Sequence, residues 1–426
     1  MRLLLLTLFA SPAFAADRVP LAPAPSPVDN PLKGLVPYQA DVRAFFPHSL
    51  EFNYLPFSAL VKGYDDFDWA PLEKLLDGIA GRGHQAVFRV FLEYPDKKGV
   101  IPDFLVKDGL KVHKWLYTET QPFPPAPIET PDYEDKNLRK SLNNFIRALG
   151  KKYDGDPRIG FITAGLLGTW GEWHTYPKSE LFASKTVQAE VMTAYEEAFK
   201  ITPVLLRYPA GEKTWQKAPN AKRKFGYHDD SFAWATLDTG KKADDWFYLP
   251  ALKSAGPDAV AKWKTHPIGG EIRPEAWGKV FDTKPGNKQI QDFRKCMEQT
   301  HATWLMDSGM FQKKQKADRI ARATDEVRRM GYDFHIPGVL KRTEFARPCA
   351  EPPVGSWVIA ELIGLHDPEF FSCKIFKPGR CNSEVVSTHE CSSHTSRISV
   401  VRSAVRNAVA EAIGGRSWGA LLSSRG

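Results

Sequence analysis

Between residue 34 and about residue 339, short apolar runs alternate with helical segments, and this alternation constrains the chain more than any other feature. The runs are 49–54, 86–92, 159–166, 203–208, 224–228, 267–272, 303–306 and 332–336. Most are rich in Val, Ile, Phe or Tyr and are bounded by Gly, Pro or Asp, the residues that punctuate strands. Between them lie amphipathic stretches such as Leu72-Leu75-Leu76-Ile79 and Leu142-Phe145-Ile146-Leu149, the second ending at Tyr153-Asp154-Gly155, a helix stop. Residues 187–199, 290–297 and 320–330 show the same helical spacing. Strand–helix alternation implies a parallel sheet with helices outside it. Eight strands over some three hundred residues fit a closed (β/α)8 barrel. An open dinucleotide-binding sheet is disfavoured, because no GxGxxG follows an early strand.

The ends of the chain read differently. Arg2, an apolar run over 3–9 and Ala13-Phe14-Ala15 make a secretory signal peptide, residues 1–15, cleaved after Ala15 or Ala16. Residues 16–33 form a Pro-rich linker, 34–340 the barrel, and 341–426 a Cys- and Ser-rich tail, a small irregular appendage of unassigned role. No later stretch reaches the roughly 20 apolar residues of a membrane helix, so no membrane insertion is expected after signal cleavage. The expected location is secreted or periplasmic. Cys296 stands alone in the body, whereas Cys349, Cys373, Cys381 and Cys391 cluster in the tail, where an oxidising compartment permits disulfides. Lys plus Arg is 58 and Asp plus Glu is 50 in 426 residues, a net charge of +8 spread along the chain rather than gathered into a groove for nucleic acid. The 12 Trp suit a cleft that stacks on flat ligands, sugars among them.

Two segments carry candidate chemistry. In residues 159–174 an apolar strand runs into Gly168-Thr169-Trp170-Gly171-Glu172-Trp173-His174. Paired glycines let the backbone turn, and a carboxyl walled by Trp170 and Trp173 gains a raised pKa and can hold a proton. In residues 267–275 a strand passes through Gly269-Gly270 to Glu271, followed by Arg273, which is expected to orient that carboxylate or keep it ionised. By the count above the two glutamates follow the third and sixth strands, and ends three strands apart lie roughly opposite across a barrel mouth. Two facing carboxylates are what glycoside cleavage requires. Glu172 is therefore the candidate general acid/base, and Glu271 the nucleophile, or the base of an inverting enzyme.

Other polar residues sit at strand ends, where barrels build their clefts. Arg89, Arg207, Tyr208, His228 and Asp229 are candidate sugar-binding groups together with Trp170, Trp173, His174 and Arg273; Glu93 and Asp307 hold similar positions. The plainer reading of each is a structural hydrogen bond or cap. The long segment 97–135, with Tyr117, Phe123 and a run of prolines, is read as a cleft wall. No HxH or HExxH pre-arranges metal ligands and no GxSxG marks a serine nucleophile, so neither a metal nor another cofactor is expected.

The stretch Asn30-Pro31-Leu32-Lys33-Gly34-Leu35, the block Trp170-Gly171-Glu172-Trp173-His174 and Gly270-Glu271 together resemble a family of secreted bacterial proteins that carry the domain of unknown function 4832. That family resembles the TIM-barrel glycosidase superfamily, with its β-galactosidase-like members, and the resemblance covers about 30–339. It implies a sugar-related role. In retaining enzymes of that superfamily the acid/base and the nucleophile follow the fourth and seventh strands. The same three-strand offset points to an uncounted first strand near Leu35–Tyr38. Two departures stand out: Gly171 occupies the place where the superfamily has Asn before its acid/base, and the tail does not read as the β-rich domain that usually follows. A non-catalytic carbohydrate-binding barrel is the competing expectation.

Overall fold

A computed structural model describes residues 17–20, 25, 27–38, 45–118, 124–332, 334–335, 338–342, 357–360 and 363–364. The signal segment, Phe123 and the four tail cysteines lie outside the described residues. The chain divides into two units. One contains Pro27–Tyr332; in the other, Asp17–Pro20, Gly338–Arg342 and Trp357–Ala360 form an antiparallel sheet, and Phe334–His335 pairs with Ile363–Gly364.

The larger unit is a (β/α)8 barrel. Its strands are β1 (Gly34–Val36), β2 (Leu50–Pro56), β3 (Gln85–Phe91), β4 (Ile159–Thr163), β5 (Val204–Leu206), β6 (Gly226–Phe232), β7 (Ile268–Ile272) and β8 (Trp304–Met306). All neighbours pair in parallel from β2 through β8, and β8 pairs with β1. A parallel bridge between Tyr38 and Phe52 and a 2.8 Å bond from Phe52 N to Pro37 O nearly close the ring. The first strand is therefore Gly34–Val36. The expected strand 332–336 is not in the barrel: its Phe334–His335 pairs antiparallel in the other unit. Every strand number shifts up by one, so Glu172 follows β4 and Glu271 lies in β7.

Helices α1 (Ala70–Ala80), α2 (Lys136–Tyr153), α3 (Lys185–Ala198), α4 (Tyr248–Ala255), α5 (Phe293–Thr300) and α6 (Ala317–Arg328) surround the sheet. Side chains cap the starts of α2, α3 and α5. Asp135 accepts from the backbone of Asn137 and Leu138 at 2.9 Å, and Ser184 accepts from Val187 N. The apolar stripe of α2, Leu138-Leu142-Phe145-Ile146-Leu149, is fully buried against the outside of the sheet. Among the described residues no helix is long and apolar enough to cross a membrane.

Inside the barrel a separate cluster joins Val36, Leu50, Phe52, Val87, Phe161, Leu205, Trp304 and Met306. Phe161 and Trp304 stack with centroids 5.6 Å apart. Gly269 makes this possible, since a Cβ there would lie 2.2 Å from the Trp304 indole. The glycine pair before Glu271 thus lies within β7 and admits a tryptophan, rather than turning the chain. Above this apolar plug the inward side chains become polar.

Candidate functional site

Arg89, on β3, stands at the centre of the cleft and is 1% exposed. Its Nε donates to Thr163 Oγ1 on β4 (3.1 Å) and Nη1 donates to Tyr54 Oη on β2 (3.0 Å). The same guanidinium reaches both candidate carboxyls: Nη1 lies 3.4 Å from Glu172 Oε1, and Nη2 lies 2.9 Å from Glu271 Oε1. Because one planar fork spans them, the two carboxyls share one cavity, no more than about 9 Å apart. The sequence reading assigned the partner of Glu271 to Arg273. Arg273 does not fill that role: it turns outward, pairs with Glu275 at 3.1 Å and rests on the Trp234 ring.

Glu271 is held from several sides. Tyr54 Oη donates to its two oxygens at 3.1 and 3.0 Å, and His228 Nε2 lies 3.5 Å away. Burial raises the Glu271 pKa above the ordinary carboxylate value, while Arg89 and Tyr54 oppose that rise. His228 is fully buried, and burial together with Arg89 holds its pKa well below the usual value, so it is neutral.

Glu172 sits in the turn that leaves β4. Gly168 has φ +80°, and a Cβ there would lie 2.4 Å from the carbonyl oxygen of His174. Trp170 and Trp173 are themselves left-handed, at φ +56° and +58°, a conformation that costs energy for bulky residues and persists only where the surroundings fix it. The fixing group is a buried brace. Tyr133 Oη accepts from Gly168 N at 2.7 Å and donates to Glu93 Oε1 at 2.6 Å, and Thr130 donates to Glu93 Oε2 at 2.5 Å. Burial pushes the Glu93 carboxyl up to about 7. Thr130 belongs to an antiparallel hairpin, Val112–Tyr117 with Ala126–Pro131, formed by the long segment after β3.

The twisted turn separates the two tryptophans. Trp170 is half-buried, with Tyr117 at 5.2 Å, Tyr94 at 6.3 Å and His174 at 6.2 Å from its ring. Trp173, expected as a second platform, faces the core instead: it is 3% exposed and its Nε1 donates to Ala164 O at 2.6 Å. What desolvates Glu172 is therefore general burial rather than two indole walls.

Burial is also the largest cause raising the Glu172 pKa well above its ordinary value. Next comes Asp230, to which Glu172 hydrogen-bonds, and Glu271 adds to the rise. His174 Nε2 lies 3.4 Å from Glu172 Oε2, and burial with Arg207 keeps this imidazole neutral. Asp230 pairs with Arg207 Nε. Burial disfavours its charge, but Arg207 and Glu172 more than offset this and hold its pKa below the ordinary value.

Asp230 takes the place that the sequence reading gave to Asp229. Successive residues of a strand point to opposite faces. His228 and Asp230 face the cleft, while Asp229 points away and accepts from Thr236 Oγ1 (2.6 Å) and Ser231 N (3.0 Å). The β6–β7 pairing runs from Asp229 opposite Gly270 to Phe232 opposite Ile272, so β6 carries one extra residue beside Glu271. Arg207 and Tyr208 follow β5; the guanidinium carbon lies 3.4 Å from the Tyr208 ring centroid. Asp307 caps a turn, accepting from Gly309 and Gly278 backbones, and does not join the cleft carboxyls. Of the residues the sequence reading left out, Tyr54, Tyr94, Thr163, Asp230 and Lys217 surround this site. A cavity of about 460 Å³ opens next to it, lined by Tyr38, Tyr54, Phe91, Tyr94 and Lys97 among others.

Glu172, His174 and Asp230 place ligand atoms within 4.8 Å of one another. Arg89 and Arg207 lie close enough to these groups to affect their ionisation, and two fixed guanidinium charges beside them make the cluster a poor cation site.

No protein-family model and no curated protein matches this chain. Among solved structures, endo-glycoceramidase II from Rhodococcus sp. with a lactosyl-enzyme intermediate overlays with a TM-score of 0.42 at 10% identity, over 78% of this chain and 87% of that one. The endoglucanase Cel5A of Pseudomonas stutzeri gives 0.36 at 8% identity, over 66% and 81%. GH5_18 from Bifidobacterium longum gives 0.39 at 12%, over 65% and 68%.

Proposed function

We propose that this chain is an exported glycoside hydrolase in which Glu172 is the general acid/base and Glu271 the nucleophile, or the base that activates water. The observation that carries the reading is the single guanidinium of Arg89 reaching both carboxyls while their surroundings treat them differently. Glu172 is desolvated and faces the charged Asp230, so it holds a proton to give to a leaving oxygen. Glu271 receives Arg89 and Tyr54, groups that sustain negative charge for attack at an anomeric carbon. Trp170 and the tyrosines beside Glu271 supply flat faces for a sugar. Export rests on residues 1–15 and the resemblance to the domain-of-unknown-function family 4832 on the residues quoted above; both belong to this proposal, as does the reading of 341–426 as an appendage.

Two observations favour a carbohydrate-binding protein without catalysis. The Glu172 proton is directed at Asp230, and Gly171 stands where the superfamily it resembles has Asn. A panel of 4-nitrophenyl glycosides separates the readings. The hydrolase reading expects release of nitrophenol from at least one sugar, abolished in Glu271→Gln. Binding of sugars with no release across the panel would establish the other reading.

A further inference from the structure

The β4–β5 side of the cleft holds two buried basic side chains whose nitrogens are not all answered by hydrogen-bond partners. Arg207 is 7% exposed, and its Nε pairs with Asp230, but its Nη1 is buried with no hydrogen-bond partner among the described residues. Lys217, in the segment after β5, is 9% exposed and its Nζ is buried and equally without a partner. The ammonium lies 4.2 Å from the Phe182 ring centroid and 4.3 Å from that of Tyr208, the ring that also carries Arg207. On its far side Tyr208 meets His174, whose ring centroid is 6.4 Å away and whose Nε2 touches Glu172.

The inward aim of Lys217 is built into the chain. Gln188, on α3 and 1% exposed, donates to Gln216 O at 2.9 Å and accepts from Ala218 N at 2.9 Å, gripping the backbone on both sides of the lysine. Two residues earlier Trp215 is 81% exposed, so the same segment sends an indole to solvent and an ammonium inward. A methionine fills an aromatic slot without the desolvation cost of an amine; a buried amine with no hydrogen-bond partner is a loss that a ligand anion recovers.

We propose that Arg207 and Lys217 form a subsite for an anionic group on the carbohydrate, the carboxylate of a uronic acid or the sulfate ester of a sulfated sugar, next to Glu172. This names the substrate class of the proposed hydrolase and rests on that reading for the sugar itself. The half-buried Tyr208 ring is the shared neighbour of the two basic side chains and His174. Two oxygens of either acid, the planar carboxylate or one edge of the tetrahedral sulfate, can face the guanidinium, and the Lys217 amine, once protonated, supplies the second charge. Burial and the neighbouring Arg207 hold the Lys217 pKa well below its usual value, so an incoming anion also brings a proton to the amine.

The test is calorimetric titration of the full mature chain with methyl β-D-glucuronide, methyl 6-O-sulfo-β-D-glucoside and the neutral methyl β-D-glucoside, and with the three corresponding galactosides. The proposal expects one of the acidic sugars to bind at least tenfold tighter than its neutral counterpart, and which acid wins distinguishes carboxylate from sulfate. Lys217→Met, with Lys217→Gln as a second variant should the first not fold, should remove that preference for the acidic sugar over its neutral counterpart. Equal binding of acidic and neutral sugars by the wild type overturns the proposal, as does a preference that survives in a folded Lys217 variant. Since the readout is binding, an acidic preference without hydrolysis of any sugar would overturn the hydrolase reading alone; hydrolysis confined to neutral sugars would overturn this subsite alone.

Discussion

At the residue scale the site is governed by how charge is shared among buried groups. Arg89 neutralises part of two carboxyls, and Arg207 keeps Asp230 ionised, so the proton left over resides on Glu172. Asp230 raises the Glu172 pKa, and removing its charge must lower it. Asp230→Asn should therefore move the alkaline limb of the pH profile of kcat/KM toward acid, since activity is lost once the acid deprotonates. A variant profile superimposable on the wild type would show that Asp230 serves packing alone. Under the proposed mechanism Glu172→Gln removes the proton donor and should cost about 10²–10⁴-fold on substrates with poor leaving groups. Dinitrophenyl glycosides, whose leaving group needs little protonation, should lose far less. Most of these residues stand at strand ends visible in the sequence, as Arg89, Arg207, His228 and Glu271 do. What the sequence did not give away was direction. Trp173 and Arg273 carry the right chemistry, yet a left-handed turn and an outward salt bridge take them away. Between Asp229 and Asp230 the period of two decides, and applying it from His228 selects Asp230.

The element that matters most is the turn from β4, braced through Gly168, Tyr133 and Glu93. Gly168→Ala places a methyl against the His174 backbone at φ +80° and should cost about 2–4 kcal/mol, read by denaturant unfolding. The brace is also pH-dependent. Burial raises the Glu93 pKa in the folded chain from the ordinary glutamate value to about 7. A carboxyl so raised contributes stability that is fully present below about pH 4.5 and lost as pH climbs through about 7. The contribution is on the order of 1–3 kcal/mol. Melting of Glu93→Gln should fall less steeply than wild type between pH 5 and 8; parallel curves would exclude Glu93 as the titrating group. The turn was legible as glycines and tryptophans around a glutamate. The brace was not, because Glu93 and Tyr133 are 40 residues apart and meet only when the hairpin folds back.

For the whole molecule, alternation of apolar runs and amphipathic helices was enough to read a barrel, since burial on both faces leaves that pattern in the sequence. Counting strands was harder. Gly34-Leu35-Val36 is too short to stand out, and its pairing with β8 across the ring is a contact that no local pattern records. The opposed glutamates survived the miscount because their offset is relative. The central claim is that Glu172 and Glu271 act as a pair across one Arg89, and chemical rescue tests it most directly. With an activated dinitrophenyl glycoside that the wild type cleaves, Glu172→Ala leaves room for a small anion where the carboxyl stood. If the chain retains configuration, added azide should restore turnover and yield a glycosyl azide of retained configuration. In an inverting chain it should be Glu271→Ala that azide rescues, with inverted product. A wild-type rate persisting in both alanine variants, or a loss that azide leaves unchanged in both, would contradict the pairing.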